Sequence, residues 1–215
     1  MIKTAIFDLD GTVAHTLPDL VTAINGIRAS RSLAPLSDEE ALVFINGDTE
    51  QVVRASIPNI AESEVVDAVA EFKAIYSECY LDKTYPYAGM KDMLSSLKAL
   101  GIKLALFSNK ADEYVKNMAA KFYPGLFEIA LGSGVFASKP SPEGVYDILS
   151  KLETEKDNAV LIGDSDVDLA TAANAGVKVI GVSWGYRGRK LLEKNGCGQI
   201  VDTVNEIEEK ILNTD

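Results

Sequence analysis

The chain has 215 residues, enough to bury a sizeable core as one domain or one and a half. Charged residues make up 25% and apolar ones 47%, ordinary for a soluble globular protein. The net charge of −11 argues against nucleic acid and anionic membrane as partners, because both need a basic face. An acidic chain that handles an anionic substrate needs local positive charge or a metal. The 2 cysteines, Cys79 and Cys197, lie far apart without a CxxC spacing, so reduced thiols in a cytoplasmic protein are expected. The N-terminus runs into a strand pattern with no signal peptide, and no apolar run reaches membrane-spanning length.

Ala5, Ile6 and Phe7 predict a buried strand that runs into Asp8-Leu9-Asp10-Gly11-Thr12. Side chains two apart on an extended chain point to the same side, so Asp8 and Asp10 are expected to project together at the strand's end. Gly11 permits a sharp turn and Thr12 adds a hydroxyl. Two like charges this close repel unless one is protonated or a cation such as Mg2+ sits between them. Taken alone, the stretch also fits a strand followed by an Asp-rich turn.

Residues 18–82 carry no convincing strand. Pro18 followed by Asp19-Leu20-Val21 reads as a helix with proline in its first turn. Ser37-Asp38-Glu39-Glu40 is a capping-box start for a second helix, broken at Asn46-Gly47. Asp48 can cap a third. Val65, Val69, Phe72 and Tyr76 fall at helical spacing in a fourth, predicted over 64–81. From Tyr85-Pro86 onward short apolar strands alternate with helices. Strands are expected at 103–107, 127–131, 159–162 and 178–182, with a short one at 199–201. That pattern means a doubly wound, Rossmann-like parallel sheet covered on both faces, an α/β core. The expected organisation is a core of residues 1–15 and 86–215, interrupted by an all-helical cap domain of residues 16–85.

In open α/β sheets ligands bind beyond the carboxyl ends of the strands. The second core strand ends in Ser108-Asn109-Lys110, where a hydroxyl and an amide can hold a phosphate oxygen or simply cap a helix. After the third comes Lys139-Pro140, a lysine with a restricted backbone just before a helix. The fourth ends in Gly163-Asp164-Ser165-Asp166-Val167-Asp168. Three carboxylates in five residues make an oxygen-rich site for a hard cation if they converge. One of these residues can instead cap the helix that starts there. Trp184 and Tyr186, in the loop after the fifth strand, are expected to pack rather than to bind.

Four elements in order, Asp8-Leu9-Asp10-Gly11-Thr12, Ser108-Asn109, Lys139-Pro140, and Gly163-Asp164 through Asp168, resemble the haloacid dehalogenase superfamily of phosphohydrolases. The helical insertion resembles that superfamily's first cap type. Pro18-Asp19-Leu20, Ile45-Asn46-Gly47 and Trp184-Gly185-Tyr186 look most like its phosphoglycolate phosphatase group. The resemblance implies a phosphatase acting on a small phosphomonoester, phosphoglycolate among the candidates, through an aspartyl phosphate. It implies Asp8 as nucleophile and Asp10 as acid and base, with Thr12 supporting Asp10. It implies Mg2+ held by Asp8, the Asp10 carbonyl and Asp164, with Asp168 close by, orienting Lys139 or a bound water. Ser108 and Lys139 would hold phosphoryl oxygens, with Asn109 behind them. A small phosphorylated metabolite is the expected partner, and a monomer or homodimer the expected state. His15 departs from the pattern, because relatives commonly carry Asp there. A phosphomutase or pyrophosphatase on the same fold is the alternative, and a phospho-accepting signalling domain a more distant one. Arg28, Arg31 and Arg54 are the insertion's candidates for a substrate carboxylate, each otherwise a solvated surface residue.

Overall fold

Every residue of β1 (Thr4–Phe7) is buried, and this strand is the middle of the molecule's main sheet. The computed structural model describes residues 1–45 and 47–214, so Asn46 of the expected helix break lies outside the described residues. Two-residue strands β2 (Ala14–His15) and β3 (Tyr85–Pro86) mark the places where the chain leaves and re-enters the α/β part. The remaining strands are β4 (Lys103–Ala111), β5 (Ile129–Ser133), β6 (Ala159–Gly163), β7 (Lys178–Val182) and β8 (Ile200–Val201). The six-stranded sheet runs β5-β4-β1-β6-β7-β8, with each neighbouring pair parallel. This is the doubly wound α/β sheet that the alternating pattern predicts. The strand order reverses at β1, so the carboxyl ends of β4, β1 and β6 flank the crevice where such sheets bind ligands.

Side chains alternate across the sheet. Ile6, Ala105, Phe107 and Leu161 pack on one face against Val145 and Ile148 of α7 (Glu143–Lys151) and Ala172 of α8 (Asp166–Ala175). Phe7 points the other way and meets the Phe127 ring edge-on at 6.2 Å. Helix α5 (Met90–Ala99) packs on β4, and α6 (Asp112–Phe122) on β4 and β5.

Two compact units emerge from the contacts, Met1–His15 with Pro86–Asp215, and Thr16–Tyr85. The second unit is helical: α1 (Leu17–Ala29), α2 (Asp38–Ala41), α3 (Thr49–Ser56) and α4 (Glu62–Cys79). Ser37 and Asp48 each close a capping box, so both expected helix starts are present, although the second helix is a single turn. Arg28 is not a solvated surface residue. It is buried, and it donates to the carbonyls of Ala34 at 2.9 Å and Ser56 at 2.6 Å. Arg31 pairs with Glu71 at 2.7 Å, and Arg54 lies against Glu50 and Glu62 at 2.8 and 2.7 Å.

Candidate active site

The site begins with Asp8, the first residue past β1. Its N–H still donates to Ile162 O at 2.9 Å, so the sheet ladder fixes its backbone. Gly11 then turns the chain with φ of 81°, a conformation that costs a residue bearing a Cβ. A Cβ there would also stand 2.6 Å from Asp164 Oδ2. Gly185 has the same function from the opposite side, where a Cβ would fall 2.2 Å from Asp164 Cβ. The close approach of Asp164 to the β1 turn therefore depends on two residues having no side chain.

Lys139 Nζ donates to Asp8 Oδ1 at 2.8 Å and to Asp168 Oδ1 at 2.6 Å, and it lies 5.7 Å from the centre of the Phe107 ring. Asn109 sets where this lysine sits. Its amide accepts from Lys139 N at 2.7 Å and donates to Lys139 O at 3.0 Å. Asp168 has two roles at once. Its Oδ2 accepts from Ser165 Oγ at 2.6 Å and Ser165 N at 3.2 Å, closing the capping box of α8, while Oδ1 faces the lysine. The capping and site readings of this segment are thus compatible. Asp164 Oδ2 accepts from Tyr186 N at 2.6 Å, and the Thr12 hydroxyl reaches Asp164 Oδ1 at 3.5 Å. Trp184 Nε1 donates to Thr12 O at 3.2 Å, so the loop after β7 braces the loop after β1. Ser108 is buried at the same rim, and its Oγ accepts from Lys110 N at 3.3 Å.

Oxygens of Asp8, Asp164 and Asp168 lie within 4.8 Å of one another, all buried. Burial dominates at Asp8 and, against the pull of Lys139 and with repulsion from Asp168 and Asp10, pushes its carboxyl up to about 7. Asp164 is driven well above the usual carboxylate range, by burial first and then by Asp168 and Asp8. Burial disfavours the Lys139 ammonium, yet Asp168 and Asp8 outweigh it and raise its pKa. One lysine among three acids leaves negative charge uncompensated, and the donors are all oxygen. That donor set and that imbalance fit a hard divalent cation.

Two features lie beyond the motif reading. Lys110 Nζ donates to Asp10 Oδ1 at 2.9 Å with its side chain only 4% exposed. The N–H of Tyr186, a residue expected only to pack, serves Asp164. A backbone donor has no sequence signature. Lys110 sits in the same run as Ser108 and Asn109, which was the one available clue. His15 lies edge-on between the rings of Tyr87 and Tyr186, with ring centres 6.1 and 5.9 Å away.

Residues 5–182 match the family model of haloacid dehalogenase-like hydrolases. The chain belongs to that family. A protein named phosphoglycolate phosphatase, from Pseudomonas syringae pv. syringae (strain B728a), is 31% identical, covering 99% of this chain and 81% of its own. Another of that name, from Haemophilus influenzae (strain 86-028NP), is 33% identical over 84% of this chain and 85% of its own. Among solved structures, a provisionally named phosphoglycolate phosphatase from Lactobacillus delbrueckii subsp. bulgaricus superposes with a TM-score of 0.91 at 32% identity, covering 98% of both chains. This family member is thus an α/β hydrolase whose carboxylates meet at the rim of β1 and β6. Among the described residues no helix is long and apolar enough to cross a membrane.

Proposed function

We propose that this chain is a Mg2+-dependent phosphatase for a small phosphomonoester, with phosphoglycolate the first substrate to try. The single observation that supports this best is Lys139 held between Asp8 and Asp168, beside Asp164, at the carboxyl end of the central strand. The names of its relatives point the same way.

Asp8 attacks phosphorus, the bond to the leaving oxygen breaks, and an aspartyl phosphate forms. Asp10 supplies the proton that the departing alkoxide needs. Water then attacks the aspartyl phosphate, Asp10 takes its proton, and phosphate leaves with Asp8 restored. Lys139 and Ser108 hold phosphoryl oxygens, with Asn109 fixing the lysine's backbone. Asp8 and Asp164, together with the Asp10 carbonyl, would hold Mg2+, and Asp168 anchors Lys139 nearby. The ion would supply charge that lets an anionic nucleophile meet an anionic phosphoryl group. Residues 16–85 are assigned the part of a specificity-setting cap domain.

Phosphate release is measured across a panel of phosphomonoesters and pyrophosphate, with Mg2+ and with EDTA. Many turnovers per chain on an alkyl phosphomonoester, abolished by EDTA, are expected. About one phosphate per chain would point to a phospho-accepting domain, and preference for pyrophosphate would reassign the substrate. Undiminished turnover in EDTA would remove the metal from the reading.

A further inference from the structure

Lys110 has no part in the scheme above, yet it is as deeply buried as Lys139, and each lysine serves a different member of the Asp8/Asp10 pair. Lys139 holds Asp8 at 2.8 Å, and Lys110 holds Asp10 at 2.9 Å. The sheet register explains why they meet. Phe7 pairs with Leu106, so Asp10 and Lys110 lie three and four residues past matched positions on adjacent parallel strands. The β4 ladder with β5 shifts register between Phe107 and Ala111, the stretch that carries Lys110. Burying an ammonium is costly unless it is paired, so this contact is a strong restraint on both side chains.

We propose that Lys110 is a positioning residue for the acid–base step, and this rests on the phosphatase reading of the site. An ammonium only donates hydrogen bonds. The Asp10 oxygen against it, Oδ1, is therefore an acceptor. Lys110 holds the Asp10 carboxyl in one orientation. As an Asp8 oxygen bonds to phosphorus and the phosphorus–alkoxide bond breaks, a proton passes from the Asp10 carboxyl to the alkoxide. In the second half the Asp10 carboxylate takes a proton from the attacking water as the Asp8–phosphorus bond breaks.

The test is the leaving-group dependence of kcat/KM, which covers only the steps through departure of the leaving group. Phosphoglycolate and ethyl phosphate release alkoxides that need the proton; p-nitrophenyl phosphate releases a phenolate that does not. Lys110→Met is expected to lower kcat/KM for the alkyl esters by about 100-fold or more, within the usual range for general acid–base catalysis, with a much smaller loss for the aryl ester. Lys110→Arg, which also only donates, is expected to recover most of the alkyl activity. If Lys110→Met fails to fold, Lys110→Gln carries the same comparison. Equal losses on alkyl and aryl esters would make Lys110 merely structural, and no loss on either would remove it altogether. A wild-type protein inert toward all three esters would overturn the phosphatase reading and this role with it.

Discussion

Among the described residues carboxylates are buried in two places, and the two differ in how the charge is met. In the helical unit Asp19 is fully buried and accepts from Lys83 N, Thr84 N and the Thr84 hydroxyl, at 2.8 to 3.1 Å. Dedicated donors surround one acid, and they tie the start of α1 to the end of the same unit. In the α/β unit three acids share Lys139, a few hydroxyls and backbone N–H groups, and repulsion among them persists. Burial of an acid is therefore not the mark of a site. A satisfied acid is an architectural tie, while a crowded and undercompensated one is suited to a cation and an anionic substrate.

The largest expected effect is on the crowded side. Asp8→Asn removes the proposed nucleophile while keeping the shape of the side chain. Phosphate release is expected to fall at least about a thousandfold, roughly 4 kcal/mol of transition-state stabilisation. The thermal midpoint without metal should hold or rise, because one repelling charge has gone. Retained turnover would remove Asp8 from its role.

Asp19→Ala is the mirror of that experiment. It leaves two buried donors and one half-buried donor without their acceptor, at a cost of about 3 kcal/mol, read as a lower midpoint in urea. Turnover per folded molecule is expected to change little. If Asp19→Ala left stability intact while abolishing activity, the contrast between tie and site would be wrong.

The same contrast explains what was legible in the residues alone. Asp8 and Asp10 after an apolar strand, Lys139 before proline and the acids after Gly163 are local signals, and a parallel sheet brings its strand ends to one rim. The helix starts at Ser37 and Asp48 were equally legible, because a capping box is local chemistry. The buried positions of Lys110 and Arg28 were not. A long cation in sequence looks like surface, and only the fold shows that Asp10 Oδ1 or the Ser56 carbonyl is waiting for it. Strand limits also moved: β4 continues extended through Ser108 and Asn109 to Ala111, where cap-forming residues suggested an earlier end.

The smallest effect is on the pH dependence of stability, and its sign separates the two regions. Asp8 sits at about 7 in the folded chain against an ordinary value near 3.8, and Asp164 is raised as well. Between those values the folded state binds more protons than the unfolded one, so without metal these acids make stability fall as pH rises. Surface carboxylates drawn down by partners, such as Glu71, where the Ser30 hydroxyl and then Arg31 outweigh burial, give the opposite slope, but theirs is complete by about pH 5. Lys139 is protonated in both states across this range and adds no slope. Urea midpoints in EDTA are therefore expected to decline from pH 5 to pH 7. Asp8→Asn should flatten that decline, because it removes one of the two titrating groups. Mg2+ should reverse the trend, since it competes with protons for the same oxygens and binds better as pH rises. A slope indifferent to both Asp8→Asn and Mg2+ would mean that the crowded acids are as well satisfied as Asp19, and the distinction between the two regions would be lost.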